Sequence, residues 1–191
     1  MPEIPTPLSV ADLLAAERPA KFLYFWKHSE EPGARVDAGC LSQWLPAEFT
    51  VDGVTFRSAE HYMMWRKARL FGDETTAARI LAAGHPGEAK RLGGRAAGFD
   101  EEIWKRERFA IVVEGSLAKF GQHPQLRDYL LTTGNRVLVE ASPLDRIWGI
   151  GLTATDPRAA EPAAWRGLNL LGFALMKARA ELSRRAATGA S

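Results

Sequence analysis

Between Phe56 and Phe71 the chain reads FRSAEHYMMWRKARLF, and nothing from Ala59 onward breaks a helix. Ser58 stands where an N-cap belongs, since its hydroxyl can take an amide of the first turn. On a wheel of about 100° per residue, Met63, Met64, Leu70 and Phe71 gather into an apolar stripe, while Tyr62, Trp65, Arg66 and Arg69 spread over the remainder. Glu60 and Lys67 fall inside the stripe. Their Cα atoms share a face about 10 Å apart along the axis, beyond the reach of an ordinary i,i+4 ion pair. Helical side chains lean toward the N-terminus, which points the lysine stem back at the glutamate. Two readings stand. The acid in the first turn and the cation in the last serve the helix dipole and snorkel at the edge of the core, or the two are working groups in a pocket.

The pattern elsewhere predicts a short helix over SVADLLAAE and a buried strand at KFLYFW, followed by the polar loop KHSEEPGARVDAG. EFTVDGVTFRS alternates around Asp52-Gly53, a hairpin signal because both turn positions need positive φ. GDETTAARILAAG predicts a helix from an Asp73 cap to a Gly84 stop, and HPGEAKRLGG a shorter one. DEEIWKRERFAIVVEGSLAKFG predicts a long helix capped by Asp100 and ended at Gly121, and HPQLRDYLLTTG another with Pro124 in its first turn. RVLVEA reads as a strand. SPLDRIWGIGLTATDPRAAEP is a loop of a length that in compact domains usually carries function. The last helix is expected over AAWRGLNLLGFALMKARAELSRR, apolar through Leu168, Leu171, Leu175 and Met176. No repeat or linker divides the chain. The expectation is one α+β domain at residues 21–183, helix-dominated with a small β-sheet, after an N-terminal extension at 1–20 and before a disordered tail at 184–191.

Composition narrows the function classes. The 191 residues are 46% hydrophobic and 25% charged, ordinary for a soluble globular protein, and a net charge of +2 is too small to call for nucleic acid. No apolar run approaches the length of a membrane span, and the first twenty residues, broken by proline and acidic, do not read as a signal peptide, so the expected compartment is the cytoplasm. His28, His61, His85, His123 and the lone Cys40 have no partners at ligand spacing, so neither a bound metal nor a cofactor is expected. RLGGRAAG lacks the end of a phosphate loop and the strand before a dinucleotide fingerprint, and no nucleophile elbow occurs. Carboxylate, amine and indole remain. Trp104 falls in the first turn of the long helix, and Asp145 and Trp148 fall in LDRIWGIG, where Gly149 and Gly151 let the backbone approach something closely. Singly, Trp104 reads as core, Asp145 as a turn cap and the glycines as loop formers. With Glu60 and Lys67 they would make a pocket with an acid, an amine, a second carboxylate and flat walls.

Four segments spread from Phe22 to Leu182 resemble the YbiA-like or NADAR family, which includes N-glycosidases of riboflavin-biosynthesis intermediates. They are LSQWLPAEFTVDGVTFRSAEHYMMWRKARLFGD, IWKRERFAIVVEGSLAKFGQHPQLRDYLLTTG, LVEASPLDRIWGIG and GLNLLGFALMKAR, in that order. A Glu-His-Tyr start with a lysine seven residues after the glutamate is a hallmark of the family, here Glu60, His61, Tyr62 and Lys67. The resemblance implies the YbiA-like fold and an enzyme that cleaves the bond between a ribose C1′ and a heterocycle nitrogen. Its substrate would be a small phosphoribosylated aminopyrimidine or, in a second reading, ADP-ribose on guanine. Nucleic acid enters as a partner only under that second reading, and a non-catalytic ADP-ribose or nucleotide-binding module is a third. Keeping both Glu60 and Lys67 argues against the third. By resemblance, Glu60, Trp104, Asp145 and Trp148 match residues important to activity, and Lys67 matches a lysine proposed to form a Schiff base with the opened sugar. The chemistry needs a proton on the leaving nitrogen and relief of the charge building at C1′, tasks Glu60 and Asp145 can divide. Lys67 would attack as a neutral amine, its pKa lowered by an apolar face supplied by Met63 and Met64. The chain departs from the family at Leu41-Ser42-Gln43-Trp44, where Phe-Ser-Asn-Phe is usual, and at Ile150, where many members carry Asp. Asn169 is retained and expected to position the glycine-containing loop. Arg57 and Arg146 are the candidates for a substrate phosphate, since arginine matches phosphate oxygens bidentately and both flank site residues.

Overall fold

In the computed structural model, described for residues 6–16, 19–27 and 36–189, the chain is α+β and dominated by helix. Residues 28–35 of the predicted polar loop, with His28, lie outside the described residues. In chain order the elements are α1 (Val10–Ala15), β1 (Phe22–Phe25), β2 (Phe49–Val51), β3 (Val54–Phe56), α2 (Ala59–Leu70), α3 (Glu74–Ala82), α4 (Pro86–Gly93), α5 (Glu101–Gln122), α6 (Pro124–Thr132), β4 (Val137–Glu140) and α7 (Leu170–Thr188). They form two compact units, one of Met1–Ser42 with Gln125–Ser191, the other of Gln43–Pro124.

The continuous unit holds the hairpin and α2 to α5. β2 and β3 pair antiparallel, Phe49 opposite Phe56, around Asp52 at φ 48 and Gly53 at φ 79, as their sequence requires. Phe49 and Phe56 turn inward onto the wholly buried Tyr62 ring, 5.0 Å from that of Phe56 at 89°. The Gln122 carboxamide accepts from Thr50 N (2.9 Å) and donates to Thr50 O (2.7 Å), so the end of α5 completes the free edge of β2. Glycine sets how closely the helices approach: a Cβ at Gly115 of α5 would stand 2.6 Å from the Tyr62 ring, and one at Gly93 of α4 would stand 2.8 Å from Met64 Cβ. This packing corrects the wheel. Glu60, His61, Tyr62, Met63, Met64 and Ala68 are buried, and Leu70 is 37% exposed, because α3, α4, α5 and the hairpin pack around α2 on more than one side.

In the discontinuous unit, β1 and β4 pair in parallel, Phe22 opposite Val137 through Phe25 opposite Glu140, and α7 packs on β4. Arg179 of α7 donates to Thr133 Oγ1 (2.7 Å) and Arg136 O (3.0 Å), fixing the turn from α6 into β4. Burial, with Arg136 beside it, pushes its pKa down to about 10. The last helix was expected from Ala163. Instead Pro162–Ala164 form a single tight turn, Trp165 Nε1 donates to Ala159 O (2.9 Å), and α7 begins at Leu170 behind Asn169 at φ 52. Leu168 thus lies outside the helix and is 48% exposed. At its other end α7 is regular to Thr188, into the stretch expected to be a disordered tail, and stops at Gly189 with φ 66.

Candidate active site

The continuous unit holds Arg57, Glu60, Lys67 and Trp104. Ser58 caps α2 by accepting from His61 N (3.4 Å), and its hydroxyl meets His61 Nδ1 at 2.8 Å. His61 Nε2 donates to Ala83 O (3.1 Å), the capping residue of α3, which makes Nδ1 the acceptor for the serine hydroxyl. Burial lowers the His61 pKa, with Arg57 and His85 adding to the effect and the bond to Ala83 opposing it, so the ring is a neutral strut between two helices. On this frame sits Glu60, second in the helix and 3% exposed, with its backbone N–H donating to Gln43 O (3.0 Å). A carboxylate there faces the positive end of the helix dipole.

Almost two turns further, Lys67 is half-buried, with Nζ 4.2 Å from the centroid of the Phe99 ring and 5.4 Å from that of Trp104. Burial lowers its pKa, the direction a nucleophilic amine needs. The aromatic faces pull the other way by attracting the cation. These rings stand at the amine, while Met63 Sδ accepts from Gln43 Nε2 (3.6 Å) and Met64 packs where α4 has Gly93. Phe99 escaped the sequence reading. Its signal was there, because Phe99 precedes the Asp100 cap of α5 and Trp104 is the fourth residue of that helix, the two positions of a hydrophobic staple. Trp104 is 8% exposed, core in burial while facing the amine. Arg57 is exposed, with its carbonyl accepting from Ala47 N (3.2 Å) and its guanidinium beside Gly84.

The discontinuous unit holds Asp145, Arg146, Trp148, Gly149 and Asn169. Asp145 Oδ1 accepts from Ile147 N (2.9 Å) and Trp148 N (2.8 Å), so the carboxylate orders its own turn. Gly149 is required by space, because a Cβ would stand 2.8 Å from Glu140 O, and Gly151 by its φ of +68. Residues 166–171 run back along this loop: Arg166 N donates to Ile150 O, Leu168 N to Arg146 O, Asn169 N to Gly149 O and Leu171 N to Trp148 O. Asn169 is no surface helical residue. Wholly buried, it accepts from Glu140 N with Oδ1 (3.0 Å) and donates to Leu138 O with Nδ2 (2.9 Å), acting as a short extra strand on β4 while its backbone holds Gly149. Trp148 is half-buried, Arg146 exposed, and Ile150, where many family members carry Asp, wholly buried. Among the described residues no group of three or more His, Cys, Asp and Glu is placed to hold a metal ion, and no helix is long and apolar enough to cross a membrane.

The NADAR domain model matches residues 24–183. An N-glycosidase of Acanthamoeba polyphaga mimivirus is 46% identical over 146 residues, which cover 74% of this chain and 86% of that one. The riboflavin biosynthesis protein PYRR, chloroplastic, of Zea mays is 35% identical over 140 residues, 69% of this chain and 20% of that one. The NMR structure of the E. coli protein YbiA matches with a TM-score of 0.70 at 27% identity, over 89% of each chain.

Proposed function

The chain belongs to the NADAR domain family and is a hydrolase of N-glycosyl bonds, and from there we propose that its substrate is a phosphoribosylated aminopyrimidine of riboflavin biosynthesis, cleaved at C1′–N to give ribose 5-phosphate. The observation that carries the reading is α2 itself, which buries a carboxylate in its first turn and presents, on the same face, an amine whose pKa burial lowers. Glu60 protonates the leaving nitrogen. Lys67 takes up C1′ as a neutral amine, so that the sugar opens onto it as a Schiff base that water then hydrolyses. Trp104 desolvates the amine. Asp145, Trp148, Gly149 and Asn169 enter through the family resemblance: Asp145 as the second carboxylate, its orientation fixed by the hydrogen bonds it accepts from two backbone N–H groups, Trp148 as a stacking wall, and Asn169 as the residue holding the glycine loop. Arg57 and Arg146, both exposed and beside site residues in sequence, are assigned to the substrate phosphate. The maize relative, matched over 20% of its length, is named for riboflavin biosynthesis, and that name is the support for an intermediate of that pathway over other ribosylated bases.

The test is anaerobic incubation with the ribosylaminopyrimidine 5′-phosphate, following ribose 5-phosphate by mass spectrometry for wild type and Glu60→Gln. Release by wild type, and loss of about two to four orders of magnitude in the variant, is expected for a missing general acid. A folded wild type that releases nothing would turn the assignment to ADP-ribose on guanine, the next compound to assay.

A further inference from the structure

Residues 94–100 join α4 to α5, and three tethers fix them to the C-terminal corner of α2. Asp73 caps α3 by accepting from Thr76 N (2.9 Å) and with its other oxygen accepts from Ala97 N (2.8 Å). Gly98 has φ +70 and passes so close that a Cβ would stand 3.2 Å from Phe71 O. The Phe99 ring meets that of Phe71 edge-on, at 5.4 Å and 74°. Core burial does not explain this effort, since Phe99 ends 46% exposed. What the tethers achieve is to set its ring face 4.2 Å from Lys67 Nζ, nearer than Trp104. Of the charged residues next to Lys67, Phe99 and Trp104 in sequence, Arg66 is engaged with Glu114 and Tyr62 Oη, Asp100 caps α5, and Lys105 pairs with Glu101 and Glu102.

We propose that Phe99 is a positioning residue for Lys67, forming with Trp104 an aromatic cradle that fixes where the amine stands; its importance to catalysis rests on the reading of Lys67 as the attacking group. A lysine carries its amine on a flexible four-carbon stem, and reaction at C1′ needs that amine at one point. Attraction to a ring face acts within about 6 Å and requires no acidic partner, so it holds the ammonium while opposing its deprotonation less than an ion pair would.

The experiment uses protein carrying carbon-13-labelled lysine, with the Lys67 ε-methylene resonance identified by its disappearance in Lys67→Met. Lying over two ring faces, that methylene is expected upfield of the other lysines. Phe99→Leu, which keeps an apolar side chain, is expected to move it back toward them and to lower kcat roughly ten-fold with a smaller change in KM. Phe99→Tyr, which keeps the ring face, is expected to retain both. An unmoved resonance in Phe99→Leu, an unchanged kcat despite a moved resonance, or a Tyr variant as impaired as the Leu variant would overturn the proposal. The resonance reports placement with no substrate present, so a wild type inactive on the pyrimidine phosphate would sink the substrate assignment and leave the placement decided by the spectrum.

Discussion

Lys67 shows how one side chain can be ambiguous in sequence and specific in structure. Its position in the last turn of a helix suits any cation, and the spacing to Glu60 alone favours the dipole reading over the working one. Phe99 and Trp104, 32 and 37 residues further along the chain, bring their rings to the amine, and the proposal that Lys67 attacks builds on that placement. Trp104 was legible as a candidate, and Phe99 was not, since an apolar residue in a short connection looks like ordinary linker until the staple to Trp104 is recognised. If the amine attacks, a side chain that stays charged serves no better than one with no nitrogen. Lys67→Arg and Lys67→Met are therefore expected to lose kcat/KM about equally, by at least roughly 100-fold, with little change in melting temperature because the residue is only half-buried. Burial lowers the lysine pKa from its ordinary 10.5, so wild-type activity on the acidic side should rise with pH through a range below that value. A Lys67→Arg enzyme near wild type would remove the nucleophile from the mechanism.

At the scale of the element, α2 was located to the residue at its cap and misread around its circumference. The wheel counts apolar side chains and cannot know that α3, α4, α5 and β3 all pack on this helix, so Tyr62 was placed off the apolar stripe and Leu70 on it, the reverse of what packing dictates. The cap itself carries more than a helix start. Ser58 accepts an amide and donates to His61, whose far nitrogen binds Ala83, so Ser58→Ala leaves a buried imidazole nitrogen unpaired as well as removing the cap. A loss of about 1–3 kcal/mol in urea unfolding at pH 7.5 is expected. The same strut sets a pH dependence. Above the ordinary His value of 6.5 the ring is neutral in both folded and unfolded chains and contributes no pH dependence; below it the unfolded chain binds a proton that the folded ring, its pKa lowered by burial, refuses. Stability should therefore fall as the pH drops from 6.5 toward the lowered folded value. The fall between pH 7.5 and 5.5 should be smaller in His61→Gln, and equal slopes for the two proteins would show that His61 is not the titrating group.

At the scale of the molecule, the helix-rich composition and the order of elements were readable, whereas the start of α7 was not. Residues 163–169 have the composition of a helix, but the backbone N–H groups of Arg166, Leu168 and Asn169 are claimed by Ile150 O, Arg146 O and Gly149 O, the Trp165 indole is claimed by Ala159 O, and Gly167 passes so near Gly149 O that a Cβ would stand 2.2 Å from it. Local propensity loses to such contacts because each supplies a partner that a helical turn would supply only once. Asn169 is where the two regimes meet, combining a left-handed backbone that ends the loop with a side chain that completes β4. Two costs are mixed in any substitution there, strain at φ 52 and the loss of two buried hydrogen bonds, and a pair of variants separates them. Asn169→Ala incurs both and should lose about 2–4 kcal/mol of unfolding free energy. Asn169→Gly is at ease at positive φ, so it should recover only the strain, about 1 kcal/mol, and remain well below wild type. A glycine variant as stable as wild type would mean that the bonds to Leu138 and Glu140 add nothing net, and that Asn169 is kept for its backbone alone.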